Sequence, residues 1–301
     1  MIKFLRLKIL CTNNHLKHMG GSETFTYTLA KELERQSHSV DVFTLSKGVV
    51  SEKLNTVDEL KDEYDIMFIN HNSCLEHILK KKIKGFKILT CHGIQPQLEQ
   101  PIPGADSYVV VAEEIQEHLK NRGFNSTVIR NGVDCKRFFP IRKINAECKS
   151  VLSMCHGEEA KNNISEACKK LGISFNFTGT TLEGRTFEIE KLIFEADLVF
   201  GFGRSTYESM ACGRNVISYD SKWAGLTGDG IITPNNVQLL QKKSFGGRTF
   251  NFKFTVDELV EEIKKYKQEY GDFNRQYALE NFNIEKQVNK YFQIWRQRGT
   301  T

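Results

Sequence analysis

Long apolar runs, proline and paired cysteine motifs are scarce in this sequence. No window approaches about 18 uninterrupted apolar residues, so the sequence predicts no transmembrane helix. The 5 prolines and 22 glycines argue against a long flexible linker. The 8 cysteines are dispersed, with no C-x-x-C pair and no histidine at a zinc-ligand spacing, which argues against a disulfide framework or a zinc site. Basic residues interrupt the apolar residues at the start of the chain, unlike in a signal peptide, so we expect a cytoplasmic protein.

The composition is that of a folded protein with a large core. Hydrophobic residues make up 40% of the 301 positions and include 21 Phe and 9 Tyr, which excludes a disordered or low-complexity chain. This length fits one large or two medium domains. The net charge is +5, and basic residues cluster at Lys80–Lys87, at Lys136–Lys143, and at Lys242, Lys243 and Arg248. We expect these clusters to be solvated surface, with an anionic membrane or a polyanion such as DNA as the alternative partner.

Short apolar strands alternate with amphipathic helical stretches through most of the chain. The predicted strands span residues 3–11, 39–45, 65–70, 86–91, 107–111, 126–130, 149–155, 173–178, 197–201 and 215–219. The predicted helices include residues 22–36, 112–122, 158–171, 204–212, 255–268, 271–281 and 284–297. Strands that are separated by helices predict parallel sheets built from βαβ units.

A break at residues 131–148 divides the strands into two series. Its turn residues and basic residues mark it as a crossing between domains. We therefore predict a first domain at residues 1–142 and a second at 143–283, with the C-terminal helix, 284–301, packing back onto the first. Each domain is predicted to be a doubly wound α/β half. Ligands of such halves bind at the carboxyl ends of the strands, so the cleft that the halves face is the expected site.

The loop after the first strand ends in Gly20, Gly21 and Ser22 and opens a helix. Two glycines allow a ligand to approach the backbone closely, and serine is a residue type that caps helix N-termini. The amides and partial positive charge of such a terminus attract phosphate. The alternative is an ordinary strand-to-helix turn without a ligand. The spacing matches neither the G-x-G-x-x-G dinucleotide fingerprint nor a P-loop.

A second glycine-rich turn follows the predicted strand 197–201. It places Arg204, Ser205 and Thr206 in the first turn of a helix, with Glu208 one turn after Arg204. The arginine and the amides of this turn suit a pyrophosphate, and the carboxylate suits vicinal hydroxyls such as those of a ribose. The alternative is an ion pair on the surface of an ordinary helix.

Three stretches in order along the chain resemble the family-4 retaining glycosyltransferases, which have the GT-B fold. Gly20–Glu23, with the helix and strand that follow, resembles the family's opening loop. Asn131–Asp134 followed by Phe139 and Pro140 resembles its mid-chain signature. Glu208–Ile217 resembles the segment Glu-Ala-Met-Ala-x-Gly-x-Pro-Val of its nucleotide site. One such motif is weak evidence, whereas three in order are strong.

The resemblance implies two Rossmann-like doubly wound parallel-sheet domains facing a cleft. It also implies transfer of a hexose or pentose from a nucleotide-diphosphate sugar, predicted to be UDP-linked, with no metal and no cofactor. The second domain would hold the donor and the first the acceptor. In the same-face substitution proposed for the family, a donor phosphate oxygen helps to remove the acceptor proton, so catalysis rests on positioning and on stabilising the departing diphosphate. Asp229 and Phe245–Arg248 resemble features of a short subgroup.

The predicted site residues form three groups. The predicted catalytic residues are His92, Gly21 and Arg204, with His92 chosen because the family often carries a histidine there facing the donor sugar. The predicted nucleotide-sugar ligands are Gly20, Gly21, Lys161, Gly203, Arg204, Ser205, Thr206 and Glu208. His15 and His18, in the first loop, are predicted to face the acceptor. The alternative for each histidine is a structural or simply exposed side chain.

Two features depart from the family and leave alternatives open. Phe200 stands where the family has a Glu that contacts the transferred sugar, and only Lys161 and Arg204 represent the family's cations for the diphosphate. A non-catalytic sugar-nucleotide-binding module is therefore one alternative. The acceptor is either a glycan or lipid-linked sugar, or a hydroxymethylated base in DNA, as for phage DNA-modifying glycosyltransferases that act on hydroxymethylcytosine. The protein would then lie at the membrane surface or on DNA.

Overall fold

Eleven strands form two separate sheets within residues 6–178, 186–221 and 225–298, the part of the chain that the computed structural model describes. Ten of these strands overlap the predicted ones, and the predicted α/β class with doubly wound, mostly parallel sheets is confirmed. Across the same described residues, no helix combines the length and the apolarity that a bilayer crossing requires.

The elements follow each other in the expected alternation. The strands are β1 (Lys8–Asn13), β2 (Ser39–Thr44), β3 (Glu63–Asn70), β4 (Lys84–Cys91), β5 (Ser107–Val110), β6 (Thr127–Val128), β7 (Ser150–Ser153), β8 (Ser174–Phe177), β9 (Leu198–Gly201), β10 (Asn215–Asp220) and β11 (Thr227–Ile231). The helices are α1 (Gly21–Arg35), α2 (Asn72–Lys80), α3 (Glu113–Asn121), α4 (Glu158–Leu171), α5 (Ile189–Glu195), α6 (Arg204–Ala211), α7 (Val237–Leu240), α8 (Val256–Lys264), α9 (Gln268–Asn281) and α10 (Ile284–Arg296).

The chain divides into two units. Unit 1 comprises Met1–Gly132 and Ile284–Thr301, and unit 2 comprises Val133–Asn283. Residues 133–142 thus belong with unit 2, where Phe138 joins the buried core. The roles of the two units in binding donor and acceptor stay predictions.

Unit 1 contains a sheet of six parallel strands in the order β2-β1-β3-β4-β5-β6. The C-terminal helix α10 packs against α1 and buries Tyr291. The Tyr291 hydroxyl lies 3.3 Å from Thr90 Oγ1, and its ring meets the ring of Phe68 edge-on. Burial of a side chain of this size stabilises by about 1.5–3 kcal/mol, which explains why the last helix returns to unit 1.

Unit 2 contains a five-stranded sheet in the order β11-β10-β9-β7-β8, in which β11 runs antiparallel to β10. The sequence patterns did not indicate β11, because two of its five residues are glycine and glycine is depleted in strands. A Cβ at Gly228 would lie 2.4 Å from the carbonyl oxygen of Ser218. Glycine is therefore required where these two strands approach each other.

Asp197, fully buried just before β9, ties the start of that strand to the start of β7. Its carboxylate accepts hydrogen bonds from the amides of Asn145, Lys149 and Ser150 at 3.0–3.2 Å, and from Arg142 Nη1 at 3.0 Å. Burial alone would raise the pKa of Asp197, but the bonds from Asn145, Lys149 and Arg142 lower it below its usual value. Because these two parallel strands start side by side, the turns that follow them lie at the same edge of the sheet.

Each sheet has one point where the strand order reverses. In unit 1, β1 lies between β2 and β3, so the chain leaves β1 and β3 toward opposite sides of the sheet. In unit 2, β7 lies between β8 and β9 in the same way. The carboxyl ends of strands at such a reversal form a crevice that binds ligands in doubly wound proteins. A ligand is therefore expected at the turns after β1 and β3, and at those after β7 and β9.

Candidate functional site

The loop after β1 leads into α1 with Gly20 as the N-cap residue. The expected cap, Ser22, lies instead in the first turn, where its Oγ donates to Glu23 Oε2 at 3.1 Å. A Cβ at Gly20 would meet that same Oε2, so alanine there would displace the Glu23 carboxylate. A Cβ at Gly21 would meet nothing within 4 Å. Gly21 therefore borders space that a ligand can enter, whereas Gly20 is in contact with the Glu23 side chain.

The two predicted acceptor histidines lie in this loop. His15 Nδ1 is 2.9 Å from Glu23 Oε1, and the His15 side chain is 39% exposed while that of Glu23 is 5% exposed. His18 is partly buried. The Glu23 carboxylate, in the first turn of α1, thus sets the orientation of His15.

A buried polar network joins three strand ends to α1. Thr26 Oγ1 accepts from Asn13 Nδ2 at 2.9 Å and from Asn70 Nδ2 at 2.8 Å. Because the Asn70 amide nitrogen donates to Thr26, its Oδ1 is the acceptor that faces His92 Nε2 at 3.0 Å, and His92 Nε2 is the donor. The Phe25 ring meets the His92 ring edge-on at 4.9 Å. His92 is therefore held in one orientation directly after β4.

The sequence patterns did not indicate His71, which follows β3 at the same edge. His71 is only 4% exposed, and its φ of +73° is one that residues other than glycine rarely adopt. Its Nδ1 accepts the amide N–H of Asn14 at 3.1 Å. Burial, assisted by the charge of His15, lowers the pKa of His71 from 6.5 to about 4. The available signal was the polar run Asn70–Ser73 directly after an apolar strand, where doubly wound proteins place ligands.

In unit 2, Phe202 and Gly203 form the turn after β9 and open α6. Gly203 is the N-cap residue with a φ of +52°. Ser205 Oγ accepts from the Phe202 amide at 2.8 Å and donates to the Phe202 carbonyl at 2.9 Å. Thr206 is fully buried. The side chain of Ser205 thus holds the turn in shape, and Gly203 supplies the backbone conformation that the turn needs.

Arg204 and Glu208 form an ion pair one helical turn apart. Arg204 Nε lies 2.8 Å from Glu208 Oε1, and the two side chains are only 9% and 7% exposed. Burial raises the pKa of Glu208, and the charge of Arg204 opposes that rise. Burial likewise lowers the pKa of Arg204, and Glu208 opposes that fall. The i, i+4 ion pair that the sequence spacing suggested is therefore present. It is buried, whereas ion pairs on the surface contribute little to stability.

A second ion pair, between Arg137 and Glu190, lies close enough to act on the first. Arg137 Nη2 is 2.6 Å from Glu190 Oε2 and also donates to the carbonyl of Phe187. The charge of Arg137 lowers the pKa of Glu208, against the larger effect of burial. The basic stretch Lys136–Lys143 thus contributes Arg137 to a network of charges, a role that its sequence did not indicate.

Helix α4, which follows β7, carries the remaining predicted ligand. Lys161 Nζ lies 3.0 Å from Glu158 Oε2 and 4.1 Å from the ring centroid of Phe177. His156, which the sequence patterns did not indicate, places Nδ1 2.8 Å from Asp220 Oδ2 at the end of β10. Within the described parts of the chain, these residues join no group of three or more His, Cys, Asp or Glu side chains that could hold a metal ion.

Phe200, which replaces the family's first Glu, is a core residue. Its ring is fully buried and meets the ring of Tyr219 edge-on at 6.1 Å. It belongs to the apolar cluster that α4 and α8 cover. Because Phe200 offers neither a carboxylate nor an exposed surface, other groups must contact any transferred sugar.

Asp229, which resembles a feature of the short subgroup, supports the turn before α6 through a neighbouring loop. Its Oδ1 accepts from the amides of Thr249 and Phe250 at 2.8 and 2.7 Å, which fixes the loop before them. Within that loop, the carbonyl of Phe245 accepts from the amide of Gly203 at 3.4 Å. Asp229 is thus a structural residue that holds the loop packed on the turn.

The basic cluster Lys80–Lys87 lies at the opposite edge of the sheet of unit 1. It covers the end of α2 and the start of β4, whereas the loops described above follow the ends of strands. The nine residues of α2 separate the two edges by about 13 Å. These lysines are therefore distant from the strand ends where a ligand is expected.

The amino-acid sequence matches no protein-family model and no curated protein. Its fold, however, is shared with solved structures. A glycosyltransferase from Rickettsia africae ESF-5 superposes with a TM-score of 0.66 at 14% identity, over 98% of this chain and 99% of that one. An alpha-glucosyltransferase in complex with UDP and a 13-mer DNA containing a HMU base gives 0.63 at 11% identity, over 97% and 100%.

The catalytic domain of starch synthase IV from Arabidopsis thaliana, bound to ADP and acarbose, gives a TM-score of 0.59 at 10% identity, over 99% of this chain and 100% of that one. At such low sequence identity, the structural similarity establishes the architecture alone. Since it extends over nearly the whole of each chain, this protein has the GT-B fold, as its sequence motifs implied.

Proposed function

We propose that this chain is a retaining glycosyltransferase that moves a sugar from a nucleotide-diphosphate sugar, UDP-linked, to an acceptor hydroxyl. The observation that carries the proposal is the buried Arg204–Glu208 pair, which spans the first two turns of α6. The pair lies after β9, at the strand reversal of unit 2 where doubly wound proteins bind ligands. Proteins of the same fold have been solved with UDP or ADP.

Unit 2 is proposed to hold the donor. The Arg204 guanidinium carries five N–H donors, and its Nε bond to Glu208 fixes its orientation for the departing diphosphate. Glu208 keeps lone pairs beyond the one that Arg204 uses, and these accept the ribose hydroxyls. Lys161, one turn into α4, is the second cation for the diphosphate. With these two cations, no metal is assigned to the reaction.

Unit 1 is proposed to hold the acceptor and to present Gly21 and His92 to the reacting groups. His92 Nε2 already donates to Asn70, so a contact with the donor sugar uses the opposite edge of the ring. Gly21 leaves room for a substrate to approach the start of α1. His15 and His18 line the same loop and are assigned to the acceptor.

The test is a screen of nucleotide-diphosphate sugars against candidate acceptors. We expect release of nucleoside diphosphate with one donor, a product with the donor's anomeric configuration, and slower hydrogen exchange of residues 201–213 when UDP is added. Exchange protection without any turnover would favour the non-catalytic binding module. Protection confined to unit 1 would contradict the assignment of the donor.

Gly20 and Gly21 provide a matched pair of variants for the same assay. Gly21→Ala should leave the melting temperature unchanged or higher, because the added Cβ meets nothing and alanine favours helix. Turnover should fall by about 100-fold, since a methyl group then occupies the substrate's approach. Gly20→Ala should instead lower the melting temperature, because its Cβ displaces Glu23 from Ser22 and His15, and because alanine is a poorer N-cap than glycine. Full activity in folded Gly21→Ala would contradict the role of this loop.

The acceptor is proposed to be a glycan or lipid-linked sugar, or a hydroxymethylated base in DNA. One observation favours the second class, because a protein of the same fold was solved with DNA containing a HMU base. A DNA acceptor predicts transfer to a modified oligonucleotide with affinity that falls steeply as salt rises, because each phosphate contact releases counterions.

Two variants test where that DNA would bind. Lys17→Ala, an exposed residue of the loop after β1, should reduce the salt slope by about 1. Replacing Lys80, Lys81 and Lys82 by Ala removes three charges at the opposite sheet edge and should leave the slope unchanged. Absence of oligonucleotide binding at low salt would exclude DNA and favour the glycan or lipid class.

A further inference from the structure

His71 connects two parts of unit 1. Its carbonyl accepts from the amides of Cys74 and Leu75 at 3.2 and 3.4 Å and thereby begins α2. Its ring Nδ1 accepts from the amide of Asn14 at 3.1 Å, in the loop after β1. One residue therefore fixes the start of a helix and the start of the loop that carries Gly20 and Gly21.

The loop is held twice at Asn14. Besides the bond to His71, Ser73 Oγ donates to Asn14 Oδ1 at 2.8 Å. Farther along the loop, the amide of Leu16 donates to the carbonyl of Ser46 at 2.8 Å. The turn between β3 and α2 thus holds the near end of the loop, and a neighbouring segment holds its middle.

The backbone of His71 adopts φ +73° and ψ 138°, where a Cβ is poorly tolerated. A turn that served only to connect β3 to α2 would favour glycine there. Strained residues of this kind cluster at functional sites, where the surrounding structure enforces the conformation. What the strain provides here is a buried ring nitrogen aimed at the loop amide.

We propose that His71 is a positioning residue that holds the loop of residues 14–21 in the conformation that receives the acceptor. This inference rests on the proposed function for the identity of the loop's ligand. The hydrogen bond itself can be tested without any substrate.

The decisive comparison is His71→Asn against His71→Leu. Asn carries Oδ1 at about the position of Nδ1, so it keeps the acceptor for the Asn14 amide. Leu has a similar bulk and no acceptor. Peptides covering residues 13–19 should exchange amide hydrogen about tenfold faster in His71→Leu and at the wild-type rate in His71→Asn. Unchanged exchange in His71→Leu, or equally fast exchange in both variants, would overturn the proposal.

Kinetics then separate positioning from folding. His71→Leu should raise the KM for the acceptor about tenfold with little change in kcat, and His71→Asn should restore it. His77→Leu is the control, because His77 lies in α2 and stacks on Phe43 at 4.9 Å. An equal loss in His77→Leu and His71→Leu would mean a general structural effect and overturn the proposal. If the wild type transfers no sugar, the proposed function fails, while exchange still decides the role of His71.

Discussion

Replacing Arg204 by Met is expected to destabilise the fold around α6 by about 3–5 kcal/mol, because it leaves Glu208 as a buried carboxylate without its partner. Methionine fills a similar volume, so the loss reports the charge rather than a cavity. Hydrogen exchange of the β9 and α6 peptides measures this stability locally, apart from unit 1. Wild-type protection in this variant would mean that the pair contributes nothing.

The double variant Arg204→Met with Glu208→Leu separates stability from binding. An apolar pair of similar volume is often as stable as a buried ion pair, so most of the lost protection should return. UDP binding should be lost, because neither Arg204 for the diphosphate nor Glu208 for the ribose remains. Restored UDP affinity in the double variant would contradict both assigned roles.

Glu208→Gln is the gentler variant of the same site. Its amide oxygen can still accept from Arg204, so the fold should lose less stability than with Arg204→Met. UDP binding, measured by calorimetric titration, should weaken about 10- to 100-fold, because a hydrogen bond to a charged acceptor contributes about 1.5–3 kcal/mol. Unchanged affinity would remove the ribose role of Glu208.

Acidification should destabilise unit 1 through His71. The pKa of His71 is about 4 in the folded chain and 6.5 in the unfolded chain, so the unfolded state takes up the proton first. The stability that the neutral ring contributes is complete above pH 6.5 and is lost as the pH falls toward 4. A difference of this size corresponds to about 3 kcal/mol over the whole range.

The matched variant is His71→Asn, which keeps the hydrogen bond and cannot titrate. Between pH 7 and pH 5, urea denaturation should show the wild type losing about 2 kcal/mol more than His71→Asn. Burial lowers the pKa of His38 and of His77 as well, so both act in the same direction. They are present in both proteins and cancel in the difference. Parallel pH profiles would show that His71 titrates normally in the folded chain.

The sequence indicated which motifs form the site, but not what each residue of a motif does there. The resemblance picked out Gly20, Gly21, Arg204 and Glu208 because glycine at a turn and charges at helical spacing are local patterns. It did not distinguish Gly20, which the Glu23 carboxylate contacts, from Gly21, which borders open space. That difference depends on where a side chain three residues away folds back.

The missed residues share a physical cause. His71, Arg137 and His156 take their partners from segments distant in the chain: His71 from Asn14, Arg137 from Glu190 and His156 from Asp220. No local pattern records such a pairing, because it arises when the sheets bring separate strand ends together. Strand β11 was missed for a related reason, since its glycines are explained by the approach of β10.

The sequence by itself determined the two doubly wound halves and the two glycine turns, because hydrophobic periodicity and turn chemistry act between near neighbours. Only the tertiary structure decided that the Arg204–Glu208 pair is buried, that Phe200 is core, and that the Lys80–Lys87 cluster lies away from the strand ends. The burial of a side chain, and the edge of the sheet at which it lies, depend on how the chain packs. They fix pKa, ion-pair strength and access to a ligand, and no single segment carries them.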